Sequence, residues 1–299
     1  MFHVPLYLKN GSMMLTLLSG IALAEEAPRS FQAENRYFDS AGTRIHYVDE
    51  GEGEPVLLIH GFSSDFRDFG SGGRIGCRLL EALRDDGYRV IAMDIRAHGQ
   101  SDSPRGMDSY GLEMVEDPRR LLDQIGLKRA HVVGYSLGGA IANKLRELHP
   151  ERLLSVTLVG VGVPEDGAPP KFAEVIASLE QGDGIFPMLR MFLPDTPEEE
   201  VRQASAAIME NRDQKALADL LRSIQELKSD RSTLEENRVP TFAIIGADDP
   251  LMPDFRNMAT AMTNLEIFVL DGANHITIPA SPEFPDRIID FIRNHQGLD

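Results

Sequence analysis

Apolar residues in the first half of the chain come in short unbroken runs, with helically spaced apolar residues between them. Residues 56–59, 89–94, 131–133 and 153–159 are such runs, rich in Val, Ile and Leu. A run without polar alternation marks a strand covered on both faces, as in a parallel sheet. Between the runs, Ile75, Leu79, Leu80 and Leu83 repeat at helical spacing, and Gly87 stops that helix. Residues 110–125 predict a second helix stopped by Gly126, and Ala142, Leu145 and Leu148 mark a third. Upstream, residues 36–39 and 43–48 alternate around Ser40-Ala41-Gly42, which predicts a β-hairpin. Residues 51–55 read as a loop, and the glycine-rich stretch 70–76 as a loop at the mouth of the sheet, since it matches no phosphate-binding pattern. Strand and helix in alternation predict a parallel sheet wrapped by helices, with its chemistry at the carboxyl ends of the strands.

The rhythm breaks between residues 164 and 238. No strand-like run occurs there, and residues 172–179, 185–192, 198–209 and 214–227 predict successive amphipathic helices separated by Pro and Gly. Phe186, Met188, Leu189, Met191 and Phe192 cluster in the second of them. Either they line an apolar pocket or they form the ordinary core of that helical unit. Strands return at 241–245 and 265–270, and residues 284–292 predict a closing helix.

Composition narrows the function more than the fold. The 299 residues carry 30 Lys and Arg against 47 Asp and Glu, a formal charge of −17. An acidic surface of this kind repels nucleic acid and anionic membranes, so no nucleic-acid partner is expected. Cys77 is the single cysteine, which rules out a disulfide within the chain and a multi-cysteine zinc site. Lys9, an apolar run at 13–24 and the ending Ala22-Leu23-Ala24 read as a secretory signal peptide cleaved after Ala24. The run is shorter than the roughly 20 residues a membrane span needs, so no stable span is expected after cleavage. The expected location is therefore secreted or periplasmic. The alternative is cytoplasmic, if translation starts at Met13 or Met14 instead.

The candidate chemistry sits where the 131–133 run meets the third helix. Gly134-Tyr135-Ser136-Leu137-Gly138 has the form G-x-S-x-G, the strand-turn-helix elbow that presents a serine hydroxyl above a sheet. With this elbow and its flanking elements, the chain from about residue 37 onward resembles the α/β-hydrolase family. That resemblance implies an α/β-hydrolase fold, with a mostly parallel central sheet flanked by helices and an inserted all-helical cap. After the signal peptide at 1–24, it implies a division into core 25–163, cap 164–238 and core 239–299. His60-Gly61-Phe62 matches the family turn that supplies one oxyanion-hole donor, which the resemblance assigns to the Phe62 N–H, with the Leu137 N–H as the other. Residues 94–101 match the family's D-x-R-G-H-G-x-S except for Ala97 in place of glycine. His98 within this turn reads as a structural histidine bonded to backbone.

A serine hydroxyl needs an adjacent base to take its proton, and that base needs a third group to fix its tautomer. The family order is serine, acid, histidine. Asp248 and Asp249 compete as the acid. Family spacing and the following Pro250 favour Asp249. His275, in the loop after the last strand, is the expected base. His295 lies in a polar tail and is the weaker candidate, and Asn274 stands where glycine is common. The expected catalytic set is thus Ser136, Asp249 and His275, with Phe186, Met188, Met191 and Phe192 against the substrate and no cofactor or metal. The expected function is hydrolysis of a small apolar carboxylic ester through an acyl-enzyme. The alternatives are a carbon–carbon bond hydrolase of the same fold and a ligand-binding sensor on its scaffold. Family members that open epoxides or remove halide carry aspartate at the elbow.

Overall fold

The computed structural model describes residues 34–163 and 171–297. The expected signal peptide, and residues 164–170 at the start of the expected cap, lie outside them. Eight strands form one sheet: β1 (Arg36–Ser40), β2 (Thr43–Glu50), β3 (Pro55–Ile59), β4 (Arg89–Met93), β5 (Ala130–Tyr135), β6 (Leu153–Val159), β7 (Thr241–Gly246) and β8 (Leu265–Leu270). Their order across the sheet is β1-β2-β4-β3-β5-β6-β7-β8. The β1–β2 and β2–β4 pairings are antiparallel, and every later pairing is parallel. The unbroken apolar runs behave as expected. Every residue of β5 and β7 is buried, because helices cover both faces. At the open edge, β8 leaves Ile267 48% and Val269 42% exposed.

The core helices are α1 (Leu79–Asp85), α2 (Leu112–Gln124) and α3 (Leu137–Leu148). Two of them begin later than the apolar spacing suggests. Gly76 and Gly111 adopt φ of +73° and +55°, which ends the loop before each helix rather than extending it. Between β6 and β7 stand α4 (Lys171–Gln181), α5 (Phe186–Phe192), α6 (Glu198–Met209), α7 (Gln214–Ser223) and α8 (Arg231–Glu236). The expected fourth helix of this group breaks at Ser223 into a tighter turn over Ile224–Leu227. The short α8 buries only Leu234, which gives no readable periodicity. After β7, α9 (Met252–Ala261) was masked in the sequence by Pro253, which sits in its first turn, where no N–H is needed. α10 (Glu283–Arg293) closes the chain.

One buried ion pair locks the side of the sheet that carries the turn after β4. Arg96 donates from Nε to Asp117 Oδ2 (2.8 Å) and from Nη2 to Oδ1 (2.6 Å), and Ser40 Oγ donates to the same carboxylate (2.5 Å). Arg96 and Asp117 are both buried, so each needs the other. Asp117→Ala would leave the buried guanidinium the Ser109 carbonyl and the Glu113 carboxylate at 3.8 Å in place of its bidentate partner, and is expected to cost about 3–5 kcal/mol. Urea unfolding of the variant checks this, and a loss below about 1 kcal/mol would contradict it.

Candidate active site

The elbow follows from its glycines. Ser136 stands between β5 and α3 at φ 53° and ψ −114°, a strained conformation for a residue with a Cβ. A Cβ at Gly134 would overlap the Gly138 carbonyl, and a Cβ at Gly138 would overlap the carbonyls of Ile59 and His60. Only glycine lets the turn close on itself and lets α3 start against the end of β3. The Ser136 N–H donates to Val159 O at 2.8 Å, tying the strained residue to β6. Its side chain is partly exposed in an otherwise buried stretch.

Two later loops converge on that hydroxyl. His275 Nε2 is 3.0 Å from Ser136 Oγ, and His275 Nδ1 is 2.9 Å from Asp249 Oδ2. His275 is 2% exposed and Asp249 3%. The second carboxylate oxygen, Oδ1, accepts from the Leu251 N–H at 2.8 Å, which holds the carboxylate plane. Asp248 is exposed, and its N–H is used on Ala273 O. Of the two aspartates weighed as the acid, Asp249 is the one bonded to His275. Asn274 replaces glycine without needing a left-handed backbone. Its Oδ1 accepts from the N–H groups of Ile276 (3.0 Å) and Thr277 (3.1 Å), closing the loop as a side-chain turn. His295 is bonded to Phe291 O on the far tail.

His98 is occupied structurally. Its Nε2 accepts from the Ser63 N–H (3.0 Å), which leaves the proton on Nδ1 to donate to Arg96 O (3.0 Å). Burial, and then the nearby His60, push its pKa well below the ordinary histidine value, so it stays neutral. Through Ser63 it braces the turn that carries Phe62. A Cβ on Gly61 would lie 3.3 Å from Ser136 Cβ, so this turn rests against the elbow. Leu137 is the first residue of α3, where an N–H has no acceptor within the helix. Ser63 itself has φ 58°, and Arg74 Nη2 donates to its carbonyl at 2.9 Å. Arg212, in the segment between α6 and α7, donates from Nη1 to Ser64 O at 3.3 Å and so joins the inserted helices to the same turn. Sequence reasoning missed this brace, because nothing in the spacing of Arg212 distinguishes it from a surface arginine.

The four expected substrate-facing residues do not share one place. Phe192 stacks on His275, with ring centres 4.2 Å apart. Met188 is buried, and Met191 packs against the main core at its margin. Phe186 instead lies under the Arg202 guanidinium (4.0 Å) in a surface cleft that also takes in Glu210 and Gln214. Tyr135, read only as the variable position of the elbow, also packs on the His275 ring and donates its hydroxyl to His275 O at 2.8 Å. Among the described residues, no group of three or more His, Cys, Asp or Glu side chains is arranged to hold a metal ion.

Comparison with known proteins finds the same fold. The family model for the alpha/beta hydrolase fold matches residues 54–191. The esterase from Exiguobacterium antarcticum superposes with a TM-score of 0.72 over 87% of this chain and 100% of its own, at 20% identity. The chain has the α/β-hydrolase fold. The family match ends before Asp249 and His275, so the placement of those two residues rests on the geometry above. Epoxide hydrolase B of Mycobacterium tuberculosis is 35% identical over 138 residues, covering 44% of this chain and 36% of the relative. The 2-hydroxy-6-oxo-6-phenylhexa-2,4-dienoate hydrolase of Comamonas testosteroni is 38% identical over 119 residues, 40% of each chain. This α/β-hydrolase-fold chain thus matches well under half the length of either relative.

Proposed function

We propose that the chain is a serine hydrolase of apolar carboxylic esters that works through an acyl-enzyme. The observation that carries this reading is the line Ser136 Oγ, His275 Nε2, His275 Nδ1, Asp249 Oδ2, with both joints at hydrogen-bond distance. In this mechanism His275 takes the Ser136 proton as Oγ bonds to the acyl carbon. The N–H groups of Phe62 and Leu137 receive the developing oxyanion, and losing one such donor costs roughly 2.7–4 kcal/mol. His275 returns the proton to the leaving alcohol, and water repeats the cycle to free the acid. The apolar preference rests on Phe62, partly buried in the turn that lies against the elbow.

The likeness to an epoxide hydrolase does not carry that activity over. Opening an epoxide by attack at a saturated carbon would leave a serine ether, which water does not cleave, whereas a carboxylate nucleophile would leave an ester, which it does. The likeness to the Comamonas testosteroni enzyme favours a second reading, cleavage of a carbon–carbon bond beside a carbonyl, because a serine elbow is compatible with it. The protein beginning at Glu25, the start expected after export, is tested on p-nitrophenyl esters of short to medium chain length and on a vinylogous diketone acid. The expected result is ester turnover with kcat/KM above about 10⁴ M⁻¹s⁻¹. Turnover of the diketone acid with no measurable ester cleavage would replace this reading with the second.

A further inference from the structure

The last residue of α5 reaches out of the helical insertion onto the core. Phe192 lies face to face with the His275 imidazole, with ring centres 4.2 Å apart and planes within 13°. The contact is at the base itself. The other groups facing the imidazole come from the core: the Asp249 carboxylate at Nδ1, the Ser136 hydroxyl at Nε2, and the neutral Tyr135 ring, 5.4 Å away at 30°. Asp249 is the single charged group in ion-pair range of His275 among the described residues.

A phenyl face carries the negative lobe of the ring quadrupole and attracts a cation more than its neutral form. His275 is neutral before reaction and cationic once it has taken the serine proton. A ring stacked on it therefore interacts more strongly with the charged state, and such a difference acts on kcat rather than on substrate binding. Cover by Phe192 also excludes water, which by itself disfavours the cation. The two effects separate experimentally, because an aliphatic side chain keeps the cover and removes the quadrupole.

We propose that Phe192 is a positioning residue that holds the His275 imidazole aimed at Ser136 and favours its protonated form, so that the base is fully competent only while the inserted helices are seated on the core. The inference rests on the acyl-transfer reading above, and its test is chosen to fail separately. The His275 imidazole is titrated by NMR in the full chain, in Phe192→Leu, in Phe192→Met and in Phe192→Tyr, its signal identified by its loss in His275→Asn. The two aliphatic variants are expected to titrate about half a unit to one unit lower than wild type, and Phe192→Tyr to match wild type. With an ester substrate, the aliphatic variants are expected to lose about tenfold in kcat with KM changed less than about threefold, and Phe192→Tyr to restore kcat. Unfolding midpoints identify the variants that keep the fold, and either aliphatic variant suffices. An unchanged or raised titration in a folded aliphatic variant overturns the proposal, as does equal loss of kcat in Phe192→Tyr. The expected titration shift in a protein that cleaves no ester supports this inference and removes the acyl-transfer reading instead.

Discussion

Ser136→Ala is expected to lower kcat for an activated ester by about 10⁶ and to abolish the burst that marks acyl-enzyme formation. The size follows from what the substitution leaves behind. The alanine keeps the elbow backbone, the Phe62 and Leu137 N–H groups and the His275–Asp249 pair, so the oxyanion is still received and a water can still be activated. Such remnants sustain roughly 10³–10⁴ over the uncatalysed rate in serine proteases, well short of the full mechanism. Stopped-flow measurement of the burst against active-site concentration is the check. A burst of wild-type amplitude in the variant would falsify the assignment of Ser136 as the nucleophile. The variant should also fold, since among the described residues the deleted hydroxyl is bonded only to His275.

Asp249→Asn is expected to cost about 10⁴ in kcat and Asp248→Asn less than about twofold. Asparagine keeps the shape of Asp249, and its carbonyl oxygen can still accept from the Leu251 N–H. Its amide would then donate to His275 Nδ1 and drive the imidazole proton onto Nε2, where it points at Ser136 and cannot accept the hydroxyl proton. Asp248 is exposed and meets neither His275 nor Ser136 in any described hydrogen bond, so its amide analogue changes little. Steady-state kinetics of both variants settles the pair, and the opposite pattern would move the acid to Asp248.

The parts legible in the sequence were those where chemistry constrains residue type at close range. G-x-S-x-G needs glycine at 134 and 138 because backbone from the same turn and from β3 occupies the space a Cβ would fill, and local spacing encodes that directly. The buried strands were legible because a strand covered on both faces cannot afford polar residues. What stayed hidden depends on contacts between distant segments. The ring of Phe192 on His275 joins α5 to the loop after β8, and the Arg212 brace joins the insertion to the turn after β3. No periodicity records either pairing. Phe186 shows the limit from the other side. It shares a helix and a composition with Phe192, yet the turn of the helix carries it to a surface cleft beside Arg202 instead.

The order of strands along the chain has a consequence for the protein during its synthesis. The proposed nucleophile and oxyanion donors are encoded before the helical insertion, and the proposed acid and base after it. A nascent chain that has emerged only as far as β6 carries a serine with nothing to deprotonate it. On the proposed reading, the nascent chain stays silent until the segment carrying Asp249 and His275 has been made and has added β7 and β8 to the edge of the sheet.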